Sequence, residues 1–110
     1  MWPTATSGWR RYADQVAAGA LAFSKAGCDT CHTPATGFTN DSLADVGRGM
    51  HKVPSLIGLV YTAPYMSDGG APTLEARFDE VACGGGAKHG NVAVLTGIVR
   101  DALIAYLKTL

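Results

Sequence analysis

Residues Ala26-Gly27-Cys28-Asp29-Thr30-Cys31-His32-Thr33-Pro34 decide how this 110-residue chain is read. Two thiols and an imidazole lie there within one turn of chain, bracketed by a glycine and a proline that punctuate structure. Upstream, Tyr12, Val16, Gly19, Ala20 and Phe23 recur at helical spacing, which predicts one amphipathic helix from Trp9 to Ala26 with Ser7 available as its cap. Met1 to Gly8, rich in Pro, Thr, Ser and Gly, read as a flexible lead-in, leaving 9–110 as one domain. The helix runs into Gly27, Cys28 to His32 form a tight turn, and Pro34 ends it.

Downstream, Thr33 to Gly49 are small and polar, and are expected to be loop with one helical turn near Asp41 to Val46. Val53-Pro54-Ser55-Leu56-Ile57-Gly58 suits a short helix, since proline is tolerated in a first turn. Thr62 to Pro72, TAPYMSDGGAP, is turn chemistry. Thr73 then reads as the N-cap of a helix over Leu74 to Val81, followed by the glycine loop Cys83 to Gly90. Val99, Ala102, Leu103, Tyr106, Leu107 and Leu110 share one face of a terminal helix that Thr96 can cap. No stretch alternates with period two, no repeat appears and no linker divides the chain. The expected class is all-α with long loops.

Composition narrows the functions open to such a chain. With 47% hydrophobic and 16% charged residues it is expected to fold rather than stay disordered. Nine basic residues balance nine acidic ones, so neither nucleic acid nor an anionic membrane is expected as partner. Every apolar run stops short of the roughly 20 residues that a membrane span needs. The start, MWPTATSGWRRYADQ, lacks the basic and apolar regions of a secretion signal. A chain that needs export would have lost its signal or be part of something longer.

Cys-x-x-Cys-His is the spacing by which two thiols attach to one haem while the next histidine reaches its iron. Cys28 and Cys31 would form the thioethers and His32 would be the proximal ligand. A neutral imidazole serves best when its second nitrogen donates to a backbone carbonyl, and Pro34 lies where such a carbonyl can be fixed. A redox disulfide between Cys28 and Cys31 would want a βαβ context, which is not visible. A structural zinc site of Cys28, Cys31, Cys83 and His89 is the better rival, although it gives His32 no role. The odd count of three cysteines also disfavours an all-disulfide framework.

A resemblance to known families rests on longer stretches. Gly19-x-x-x-Phe23 and Ala105-Tyr106-Leu107 together resemble the helix crossing of class I cytochromes c. Val53 to Phe78, VPSLIGLVYTAPYMSDGGAPTLEARF, resembles the segment after the haem motif in the C-terminal domain of bacterial dihaem cytochrome c peroxidases and their methylamine-utilisation relatives. It is also similar to cytochrome domains appended to bacterial β-propeller proteins, which have a stretch comparable to Ala82 to Gly90 here. The similarities cover most of the chain from Gly19 onward. They imply a small cytochrome c-like fold, with N- and C-terminal helices crossing and long loops around one haem. Two departures stand out: Ser67 replaces the usual histidine, and Gly70 replaces a cysteine that in the propeller-linked relatives could pair with the equivalent of Cys83. Cys83 is therefore expected to be a free, buried thiol.

The second axial ligand is open among Met66, His89, Met50 and His51. Met66 lies in a turn-rich loop of the kind that carries the ligand in many small cytochromes. The peroxidase resemblance favours His89, because in that family the distal ligand follows the helix beginning at the equivalent of Thr73. Arg48, Lys52, Tyr61 and Tyr65 are candidates for contacts to the haem propionates. Trp9 is expected to pack and Trp2 to be disordered.

With both axial positions filled, the expected function is single-electron transfer through one covalent haem c, with no enzymatic activity. The partner would be a redox protein or a neighbouring domain. A peroxidase-type haem domain is the competing enzyme, disfavoured because the chain has one Cys-x-x-Cys-His where those enzymes use two haems. By analogy with covalent haem attachment in bacteria, the expected location is periplasmic or extracytoplasmic.

Overall fold

The computed structural model describes residues 2–46, 49–66, 69–79, 89–90, 95 and 97–110, and the side chains of these from residue 11 onward except that of residue 79. Among the described residues four α-helices form: α1 (Trp2–Lys25), α2 (Cys28–Cys31), α3 (Leu74–Asp79) and α4 (Ile98–Leu107). Two short strands, β1 (Leu43–Asp45) and β2 (Met50–Lys52), pair antiparallel, with Ala44 opposite His51. The chain is thus mostly helical with a small two-stranded sheet, which corrects the all-α expectation.

Helix α1 starts at Trp2, not near Trp9, so it runs through the stretch expected as a flexible lead-in, and Ser7 lies inside the helix instead of capping it. Pro3 is compatible with this because a first-turn N–H has no intrahelical partner to lose. The buried stripe of α1 is Gly19, Ala22 and Phe23, continued by Ala26 just beyond its end; Tyr12 stays exposed. That stripe meets Ala102, Leu103, Ile104 and Leu107 of α4. Gly19 makes the crossing possible: a Cβ there would run into the carbonyl oxygen of Ala102 and come within 2.6 Å of the Tyr106 Cβ. Phe23 and Tyr106 meet edge to face at 5.6 Å, a geometry that adds about 1 kcal/mol to the burial itself. Val99, expected on the buried face, lies in the first turn of α4 and is exposed. Gly97, not Thr96, is the N-cap residue of α4; Thr96 lies outside the described residues.

Thr73 caps α3 as expected, its hydroxyl oxygen accepting from the Ala76 N–H at 3.1 Å. The helical turn expected at Asp41 to Val46 is replaced by a bend and β1. Local bonds explain the change: the Thr39 hydroxyl accepts from Asp41 N–H at 3.0 Å and the Asn40 amide oxygen from Ser42 N–H at 3.1 Å. Such side chains compete with the helical ladder, and Asp41 has φ 62°, outside helical space. Nor do Val53 to Leu56 form a helix. The Val53 carbonyl accepts from Thr39 and the Pro54 carbonyl from His32, so neither points along a helix axis. A 3₁₀ turn forms instead at Leu59–Tyr61, after Gly58 at φ 72°.

Candidate functional site

Gly27, at φ 78°, turns the chain out of α1 and directly into α2. Glycine takes this left-handed conformation without the 1–2 kcal/mol that a Cβ would cost. The Ser24 hydroxyl donates to the Asp29 carboxylate at 2.8 Å across the corner, and His32 N–H donates to the Cys28 carbonyl at 2.9 Å. Cys28 and Cys31 therefore share one helical turn, three residues apart and on neighbouring positions of its surface. Both are half-buried free thiols. Burial pushes the Cys28 thiol above its usual value, partly offset by the cation of Arg77.

His32 is held from two sides. Its Nδ1 lies 3.0 Å from the Phe38 carbonyl oxygen and 3.0 Å from that of Pro54. Carbonyl oxygens only accept, so Nδ1 carries the proton and Nε2 keeps its lone pair. The sequence pointed to a carbonyl near Pro34; the two acceptors come from farther along the chain. Burial lowers the His32 pKa, the two carbonyls work in the opposite direction, and Arg77 lowers it further. The result favours the neutral imidazole that metals bind.

The His89 ring stands near this imidazole, with ring centroids 6.4 Å apart and planes tilted by 45°. Two imidazole nitrogens about 2 Å from one metal ion put their ring centroids roughly 6 Å apart. The spacing thus suits a shared ion. Cys28, Phe38, Leu56, Leu59 and Tyr65 line the adjoining core, half-buried against it.

Other expected site residues are distributed differently. Met66 is half-buried at φ 73° in the loop that the Tyr65–Ala71 bridge closes. Met50 and His51 lie exposed on β2. Tyr61 is 89% exposed, whereas Tyr65 is half-buried and its hydroxyl donates to the Leu59 carbonyl at 3.1 Å. Lys52 pairs with Asp41 at 2.7 Å on the surface. Arg48, Ser67 and Cys83, and the side chains of Trp2 and Trp9, lie outside the described residues. Among the described residues no group of three or more His, Cys, Asp or Glu side chains is placed to hold a metal ion. The zinc set cannot be assembled from Cys28, Cys31 and His89 alone.

One residue of the site escaped the sequence reading. Arg77 is 8% exposed, its guanidinium donates to the His89 carbonyl, and it stacks 4.5 Å from the Phe78 ring centroid. Its NH1 nitrogen is buried without a hydrogen-bond partner. Burial pulls its pKa down to about 10, against the opposing effect of Cys28. A signal was present: Arg77 falls three residues after Leu74, so helical spacing puts its charge on the same face as a buried leucine.

The donor set fits haem c in its chemistry: two adjacent thiols, an imidazole in a fixed tautomer and a second imidazole at bridging distance. No known family profile, curated protein or solved structure matches the chain.

Proposed function

We propose that the chain carries one haem c, attached through Cys28 and Cys31, and that it transfers single electrons. The observation that supports this best is the pairing of His32 with His89 at 6.4 Å, beside two half-buried thiols. Cys28 and Cys31 would each add S–H across a vinyl group of the haem, sulfur to one carbon and hydrogen to the other, so no oxidant would be needed. The bound haem supplies a one-electron ferric/ferrous couple.

The chain's own residues do the rest. His32, fixed by two carbonyls, offers Nε2 with little freedom to rotate, which limits rearrangement between oxidation states. His89 would supply a second ligand in this reading, with Met66 the alternative. Two imidazoles imply a lower potential than an imidazole and a methionine. The apolar neighbours Phe38, Leu56 and Leu59 limit water at the site. The crossing of α1 and α4 at Gly19 is the feature that supports proposing a class I-like cytochrome arrangement. A second ligand would close the iron to peroxide, which favours electron transfer over a peroxidase. The partner is a redox protein or neighbouring domain, found by weak electrostatic steering given the balanced charge. The proposed location is periplasmic or extracytoplasmic.

Expression with a haem-attachment system tests the reading. Intact mass should equal the chain plus one haem, and the reduced protein should show sharp α and β bands. Loss of low-spin character in the ferric near-infrared spectrum of His89→Ala, with Met66→Ala unchanged, would identify His89 as the ligand. The bare-chain mass without a Soret band would overturn the haem assignment.

A further inference from the structure

Arg77 presents a problem that the described residues do not solve. Arg77 is 8% exposed, and burying a guanidinium costs several kcal/mol in lost hydration unless a counter-charge or a full set of acceptors replaces the water. Its described partners are the His89 carbonyl and the Phe78 ring face, while NH1 has none. No carboxylate among the described residues forms an ion pair with it; the pairs that form are Lys52 with Asp41, Arg100 with Asp101 and Lys108 with Glu75. A Cβ added at Gly90 would lie 3.8 Å from the Cys28 sulfur and 3.9 Å from the Arg77 NH2 nitrogen, so the guanidinium and that thiol flank the same point. One buried cation therefore stands beside the first thiol of the haem-attachment motif and also grips the backbone of the facing histidine.

We propose that Arg77 is a positioning residue for His89 and the fixed charge that raises the reduction potential of the site, a role that rests on the haem reading above. Its hydrogen bond to the His89 carbonyl sets where that imidazole stands. Its charge disfavours ferric iron, which is one unit more positive than ferrous iron, and burial weakens solvent screening of that repulsion.

Potentiometric titration of the matured protein and two variants tests both halves. Arg77→Gln removes the charge and keeps an amide donor for the His89 carbonyl. Its ferric/ferrous equilibrium should move at least tenfold toward ferric, about 59 mV for a one-electron couple. Its low-spin near-infrared band should persist. Arg77→Lys keeps the charge but lacks the planar fork, so its potential should stay within a threefold change in that equilibrium while its ferric low-spin electron paramagnetic resonance signal shifts. An unchanged potential in Arg77→Gln, or an equal fall in both variants, overturns the charge role. Unchanged resonance signals in both overturn the positioning role. If Arg77→Gln does not accumulate, Arg77→Lys decides the charge role alone, a tenfold fall counting against it. Wild-type protein lacking haem would instead refute the underlying reading.

Discussion

Tyr65 shows how a single side chain separates two roles. Its hydroxyl hydrogen is directed to the Leu59 carbonyl at 3.1 Å, so a carboxylate of the cofactor would have to displace that bond. Tyr65→Phe is expected to cost about 1 kcal/mol of stability and to leave the reduction potential unchanged. Thermal melts and potentiometry of the holoprotein check both, and a changed potential would return Tyr65 to the propionate contacts. Gly90, beside His89, has φ 80°, and a Cβ there would lie 3.4 Å from the Ala26 carbonyl oxygen. Gly90→Ala should cost about 1–2 kcal/mol from the left-handed backbone alone, read as a lower denaturant midpoint. At this scale Cys28, Cys31 and His32 were legible because their spacing is itself chemical. The acceptors of His32 were not, since Phe38 and Pro54 are joined to it only by the path of the loops.

Among elements, the crossing of α1 and α4 depends on the missing side chain at Gly19. Gly19→Val must push against the Ala102 carbonyl and Tyr106 Cβ; overpacking of this kind costs about 1–3 kcal/mol or more. Calorimetry of the variant should show a lower melting temperature. At α3, Thr73→Ala should cost about 1 kcal/mol through loss of the cap. Glu75 in the same helix is held below the usual carboxylate range chiefly by its own backbone N–H, with burial opposing and Lys108, 3.4 Å away, and Thr73 adding to the lowering. A depressed carboxylate stabilises fully above its ordinary pKa of 4.5 and loses that contribution as pH falls through and below this value. Glu75→Gln should therefore narrow the stability difference between pH 7 and pH 3, by no more than about 0.5 kcal/mol for so exposed a pair. Urea melts at both pH values measure it. Helix α3 was legible from its polar cap and α4 from its apolar spacing, although the cap expected for α4 at Thr96 was not its N-cap. The hairpin was not: Leu43 and Met50 are 63% and 61% exposed, so strands of three residues left no alternation to read.

At the scale of the molecule, the core formed by the described residues is thin. Among the described residues only Leu103 is a large side chain less than 2% exposed. Much of the remaining apolar surface, including Leu56, Leu59 and Phe38, is only partly buried against that core. A bound porphyrin would complete this burial, coupling folding to loading in the way metal sites couple to folding. The Cys28→Ser/Cys31→Ser double variant is expected to lack a cooperative thermal transition, while the loaded wild type shows one in the same scan. A sharp transition in both would show that the polypeptide suffices by itself.

The single Nδ1–H of His32 ties the Phe38 carbonyl to that of Pro54, and Thr39 and Val53 are joined beside it. Two stretches far apart along the chain thereby acquire a common fastening. Their amides should become accessible to deuterium in one concerted opening, with matched exchange rates around residues 38–40 and 53–55, and His32→Ala should uncouple them.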